Sequence, residues 1–192
     1  RRHSFPTRRS SDLTVARRAN GELWVAWSGG RESHVCPMGQ VRGMTSKDDG
    51  ATWTWPRVLF DGPIDDRDSG AMETAQGTLL VTTFTSLAYE DLLAKSVMMA
   101  EATDKKWTMK PMPADKVARW KAAQARLTAE ERKAQLGEWV LRSIDGGTTW
   151  SPPIATIVNS PHGPTQLKDG RLLYVGKQLW SAEGRVGAAE SK

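Results

Sequence analysis

Reactive side chains crowd into three short stretches of this sequence. SGGRESHVCPMG from Ser28 brings Arg31, Glu32, His34 and Cys36 close together, DGPIDDRDSG from Asp61 runs Asp65, Asp66, Arg67 and Asp68 in a row, and VNSPHGP from Val158 carries His162. Arg presents a planar fork of donors that grips a carboxylate through two bonds. A carboxyl group beside others and partly shielded is tuned upward, which suits an acid/base role near neutral pH. Asp66, Asp68 and Glu32 are therefore candidates for acid/base work, and Arg31, Arg67, His34 and His162 for holding a ligand. Each has a plainer reading. The Asp65–Asp68 run also reads as a salt-bridged, capped turn, Arg31 and Glu32 as a pair of their own, and His34 as a partner of backbone carbonyls. Cys36 has no activating neighbour in the sequence and reads as a small buried residue. His34, Cys36 and His162 do not have zinc-ligand spacing, so no metal is expected, and no cofactor either.

The elements that must position these stretches come in repeats. Ser46–Trp53 reads SKDDGATW and Ser143–Trp150 reads SIDGGTTW, both S-x-D-x-G-x-T-W. Asp followed by Gly in such a run signals a tight turn, with the carboxylate accepting backbone N–H bonds and Gly supplying a positive φ. Ser46, Asp48, Gly50, Trp53, Ser143, Asp145, Gly147 and Trp150 are read as structural residues, the two Trp burying large apolar faces. A second element precedes each motif: NGELWVAW from Asn20, QGTLLVTT from Gln76 and DGRLLYVG from Asp169, each a Gly turn followed by a strand-like run. RVGAAESK at the C-terminus parallels QVRGMTSK before the first box, so a third box is expected to begin at Ser191 and Lys192.

Each unit reads as four antiparallel strands, one before the turn Gly, one after it, one leading into the box and one leaving it. From turn Gly to box Ser the spacings are 25, 66 and 21 residues, so the middle unit carries an insertion of about forty residues, over 87–137. Within it, Ala114–Leu136 is expected to be helical, with Val117, Trp120, Ala123 and Leu127 on one face, Thr128 and Glu131 as a capping box, and Gly137 as a helix stop. The insertion reads either as a packing flap or as a lid over a ligand site. In antiparallel units of this kind the boxes lie at one end, and all three reactive stretches fall at the other.

The two boxes resemble the Asp-box (BNR) repeats of sialidases, and the resemblance covers the chain from Thr14 onward. It implies an all-β, six-bladed β-propeller, of which about two and a half blades are present, with open sheet edges where further blades would pack. It also implies an exo-glycosidase that hydrolyses a terminal acidic sugar from glycans, gripping the sugar carboxylate with three Arg and using an Asp as acid/base and a Glu-paired Tyr as nucleophile. This sequence has Gln40 near the place of the family's acid, and the nucleophile and later Arg would fall beyond Lys192. The rival readings are a non-catalytic propeller that binds carbohydrate or protein, and a glycosidase or lyase acting on another sugar.

The 192 residues are 39% hydrophobic and 26% charged, a globular composition, with nine Trp and a single Cys that excludes an internal disulfide. The net charge of +5 invites a nucleic-acid reading, but residues 3–13, HSFPTRRSSDL, resemble the translation of a sequencing-library adapter. Residues 1–13 are therefore set aside from fold reasoning, which places the natural N-terminus and any signal peptide outside this chain. Four Arg against Asp12 put +3 of the net +5 there, leaving +2 and no basic patch with interleaved aromatics, so no nucleic-acid partner is expected. No run approaches the ~20 apolar residues of a membrane-spanning helix. A secreted or periplasmic location is what the family resemblance implies.

Overall fold

A computed structural model describes residues 13–101, 111–179 and 183–191, so of the residues 1–13 set aside above the first twelve lie outside the described part, while Leu13, in the first strand, pairs with Trp27. Strands β1 (Leu13–Arg17), β2 (Leu23–Gly29), β3 (Gln40–Ser46) and β4 (Arg57–Phe60) form one antiparallel sheet in chain order. β5 (Asp65–Glu73), β6 (Leu79–Ser86), β7 (Glu138–Ser143) and β8 (Ile154–Ala155) form a second. β9 (Thr165–Gln166), β10 (Leu172–Lys177) and β11 (Val186–Glu190) form a third, again with consecutive strands as neighbours. Between β6 and β7 stand three helices, α1 (Ala88–Glu101), α2 (Ala114–Gln124) and α3 (Ala129–Ala134).

The repeats are repeats of register. The first turn of each sheet places a Gly at positive φ, Gly21 at 89°, Gly77 at 79° and Gly170 at 91°, a conformation only Gly adopts cheaply. Leu23 pairs with Ser46 and Leu79 with Ser143. In the third sheet Leu172 N donates to Ser191 Oγ at 2.8 Å and Ser191 N to Leu172 O at 3.0 Å, so Ser191 takes the place of a box Ser.

Each box is a self-satisfied turn. Ser46 Oγ donates to Asp48 Oδ1 and accepts from Gly50 N, both at 2.8 Å, while Asp48 takes the Thr52 N–H at 2.8 Å and the Thr52 hydroxyl at 2.6 Å. The second box repeats the pattern, with Asp145 accepting from Ser143 Oγ, Thr148 N, Thr149 N and Thr149 Oγ1. Gly50 and Gly147 both sit at φ 87°. The first two sheets pack through Trp24, Ala26, Val41, Ala71, Leu79 and Leu141, with Trp150 laid against Trp24 at 5.4 Å between ring centroids. Arg57 of β4 crosses to the second box and donates to Gly147 O at 2.9 Å and Thr148 O at 2.8 Å. The box turn of one sheet thus anchors its neighbour.

The helices use sequence signals of two kinds. Thr128 and Glu131 make both bonds of the capping box that opens α3. Gly137 does not stop α3 in a left-handed conformation: the helix ends at Ala134 with Gln135 as a right-handed cap. Gly137 is small for another reason, since a Cβ there would strike the Trp139 indole. A second core forms where Trp120 of α2 and Tyr89 and Leu93 of α1 enclose Val35 and Cys36 from the β2–β3 loop.

The hydrogen bond from the Thr149 hydroxyl, with those from Thr149 N and Ser143, holds the Asp145 carboxyl well below its ordinary range. Folding therefore favours the ionised form, and this contribution is complete above about pH 4 and lost as pH falls below it. Asp145→Ala in the full-length protein should lower Tm by roughly 2–4 °C at pH 7, the scale of a lost capping interaction in a domain of this size. Thermal melts between pH 7 and pH 2 should show the gap to the unsubstituted protein narrowing in acid, and a pH-independent gap would disprove the assignment.

Candidate functional site

Strand pairing separates the two ends of the sheets. Leu23↔Ser46 and Leu79↔Ser143 mark the box end, whereas Gly29↔Gln40 and Asp65↔Ser86 mark the opposite end. At that second end the β2–β3 loop, the start of β5 and the root of the helices converge, because β1 and β2 lie against β5.

Asp65, Asp66, Arg67 and Asp68 do not form a connection, as the run of carboxylates suggests; they are the first four residues of β5, paired with β6 from Asp65↔Ser86 onward. A strand tolerates these acids because each finds a dedicated environment. Asp65 is fully buried, and Arg31 Nη2 reaches its two oxygens at 2.8 and 2.9 Å, with Cys36 N donating at 3.2 Å. Arg31 thus pairs with Asp65 and not with Glu32. Burial pushes the Asp65 carboxyl up to about 6 against the pull of Arg31. Gly39 is required beside it, since a Cβ there would collide with Asp65 Oδ1.

Asp66 points to the other side of the strand and is equally enclosed. Gly62 N donates to its Oδ2 at 2.5 Å, and its buried Oδ1 has no hydrogen-bond partner among the described residues. Burial, opposed by the Gly62 bond and reinforced by the charges of Asp65 and Asp61, pushes this carboxyl up to about 8. At pH 7 this favours the neutral form.

Asp68 sits in a β-bulge. β5 advances from Arg67 to Gly70 while β6 advances only from Phe84 to Thr82, and the extra residue is accommodated with Asp68 at φ 43°. Asp is one of the few residues that adopts this region, and bulges of this kind re-aim side chains. Asp68 is half-buried, beside Arg67. Arg67 Nη2 lies 3.0 Å from His34 Nε2, and the guanidinium sits 5.6 Å over the Phe84 ring. Because a guanidinium only donates, Nε2 is the accepting nitrogen of His34.

Glu32 faces outward to the helices. Arg119 Nε donates to one oxygen at 2.8 Å and Trp120 Nε1 to the other at 3.0 Å. Burial works to raise this carboxyl, but the bonds from Arg119 and Trp120 prevail and hold it below its ordinary value. His162 is exposed on the loop ahead of β9, where Gly163 passes directly against Gly70 of the bulge. The fold thus joins Arg31 to Asp65 and His34 to Arg67, ties Glu32 to α2, and sets the His162 loop along β5 without a described bond to the others. The sequence places Asp65 in the acidic run without a role of its own and Trp120 on a helix face, and it does not single out Arg119. Partners 34 to 88 residues apart leave no local signal.

Among the described residues no group of three His, Cys, Asp or Glu is placed to hold a metal ion. No described helix is long and apolar enough to cross a membrane.

The BNR repeat-like domain matches residues 4–182 of this chain. A comparison with curated proteins gives no match. Among solved structures, a protein of unknown function from Dyadobacter fermentans is similar at 20% identity and a TM-score of 0.54, over 94% of this chain and 50% of that one. The Hadza microbial sialidase Hz136 is similar at 17% identity and a TM-score of 0.60, over 94% of this chain and 35% of that one. The chain thus spans half or less of either structure, and at these identities the likeness is one of fold: three antiparallel sheets arranged as in a sialidase.

The raised Asp66 carboxyl has a signed consequence. Its folded value lies above its unfolded one, so the stability it confers is complete below about pH 4 and is lost as pH rises through about 8. Asp66→Asn keeps an acceptor for Gly62 N and never ionises. In the full-length protein its Tm relative to the unsubstituted protein should rise between pH 5 and pH 9, by roughly 2 °C or more, and level off above that. Parallel melting curves across this range would show that Asp66 is not held neutral.

Proposed function

We propose, from the premise that this chain belongs to the BNR repeat-like domain family, that it is part of a six-bladed β-propeller acting on glycans as a sialidase-like exo-glycosidase. The substrate class is a terminal acidic sugar, and the chain supplies about two and a half of the blades. One observation carries the reading: two guanidiniums, Arg31 and Arg67, are held at the same end of the sheets as a bulged, half-buried Asp68 and an enclosed Asp66.

In this reading Arg67, steadied by His34 and Phe84, meets the sugar carboxylate, and Arg31 adds positive charge from behind, its own orientation set by Asp65. Asp68 serves as acid/base. It donates a proton to the glycosidic oxygen as the bond to the anomeric carbon breaks, then takes one from water when the glycosyl-enzyme is hydrolysed. The nucleophile belongs to a part of the propeller outside this chain. Asp66 is too enclosed to meet a substrate, and its role is electrostatic. A third ionised carboxylate beside Asp61 and Asp65 would repel an anionic sugar, and burial keeps it uncharged.

The rival reading is a non-catalytic carbohydrate- or protein-binding propeller. It draws support from the same geometry, since of the three candidate acids Asp66 is enclosed and Glu32 is engaged by Arg119 and Trp120.

Full-length protein assayed on a fluorogenic sialoside decides between them. Arg67→Ala should lower kcat/KM by roughly a hundredfold or more, and Asp68→Asn should lower kcat by about 10²–10⁴-fold, with melting temperatures close to that of the unsubstituted protein. A folded protein without turnover on acidic glycosides, but with glycan binding lost on Arg67→Ala, would establish the binding propeller instead.

A further inference from the structure

Among the described residues, the helices between β6 and β7 bond to the β2–β3 loop through Glu32. Its two carboxylate oxygens are divided between Arg119 Nε and Trp120 Nε1, neighbours on α2. Arg119 is itself held by Asp115 one turn earlier, at 2.8 Å. Trp120 is fully buried, in edge-to-face contact with Tyr89 of α1 at 6.2 Å between centroids, with Lys116 4.8 Å over its ring. An indole N–H closed off from water needs an acceptor, and a carboxylate is the strongest one available.

The loop that carries Glu32 also carries Arg31 and His34. On its inner side it is held by Arg31 on Asp65 and by Cys36 N on the same carboxylate. On its outer side Val35 and Cys36 enter the apolar cluster of Tyr89, Leu93 and Trp120. Residues 30–39 include no strand or helix of their own beyond bends and turns. Without the outer contacts, the loop would rely on the Asp65 bonds, the Arg67–His34 contact and its strand ends. A loop so placed moves, and the guanidinium of Arg31 and the ring of His34 move with it.

We infer that Glu32 and Trp120 form a latch by which the helical insertion fixes the β2–β3 loop, making both of them positioning residues for Arg31 and His34. The insertion is on this account a fixed wall of the site and not a lid that opens over it. The inference deepens the glycosidase reading, on which its kinetic consequence rests, but the ordering of the loop stands independently of any activity.

Two substitutions separate a latch from its rivals. Trp120→Phe keeps an aromatic ring in the cluster and deletes the N–H, and Glu32→Gln keeps an acceptor and deletes the charge. In full-length protein both should raise amide hydrogen exchange across residues 30–39, by roughly tenfold, while exchange in β2 and β6 stays as in the unsubstituted protein. Glu32→Ala removes both acceptors, and adding Trp120→Phe to it should make the loop exchange no faster than Glu32→Ala alone, since the indole N–H then has no bond left to lose. On the sialoside, Trp120→Phe and Glu32→Gln should both raise KM by about tenfold with kcat within a few-fold, because ligand positioning is lost while the acid is untouched. Unchanged exchange in the loop for Trp120→Phe overturns the latch. A collapse of kcat in Glu32→Gln alone, with the pH profile losing its acidic limb, would make Glu32 the acid/base and overturn it also. If no acidic glycoside is turned over at all, the glycosidase reading fails, and the exchange measurement still decides the latch.

Discussion

Asp65 and Asp66 stand next to one another on a strand, on opposite sides of it, and both are shut away from water. An ionised carboxylate in such a place is costly unless it is paired or loses its charge. The fold uses one solution for each. Asp65 keeps its charge against a guanidinium and a backbone N–H, which forces the β2–β3 loop to deliver Arg31 and Cys36 to it. Asp66 is pushed toward its neutral form by burial, with the Gly62 N–H as its one described donor, brought so close that there is no room for a side chain at Gly62. Much of the geometry at this end of the sheets follows from satisfying these two groups.

The opposite end is organised by a different economy. Each box satisfies its own donors locally, within about eight residues, and the second box also offers two backbone carbonyls to Arg57 of the neighbouring sheet. The boxes are therefore stable connectors with little left over for chemistry. The loops at the far end are held instead by long-range pairs. Function is expected where the satisfaction of polar groups depends on distant partners.

The helices join these two regimes. Their apolar faces would be an ordinary satellite core, except that the cluster encloses part of the loop carrying Arg31, Glu32 and His34. Packing of the insertion and placement of the charged groups are therefore one process. The Tyr89–Trp120 contact and the Arg31–Asp65 pair are linked through fewer than ten residues of loop.

The turns, the strand order and the placement of the boxes and the charged stretches at opposite ends of the sheets were legible in the sequence, because each depends on interactions between residues close in the chain. A box Asp finds its donors within four residues, a turn Gly needs only its own φ, and Thr128 and Glu131 cap α3 across three. The reactive residues were legible as types and as neighbours, but not as partners. Arg31 and Glu32, adjacent in sequence, diverge to Asp65 and to Arg119 and Trp120, and the run from Asp65 to Asp68 that resembles a loop is a strand. Tertiary structure alone decided those matters, because whether a carboxylate is paired, neutral or free depends on what the fold places within about 3 Å of it and on how much water it excludes. Neither quantity is written in the spacing of residues along a chain.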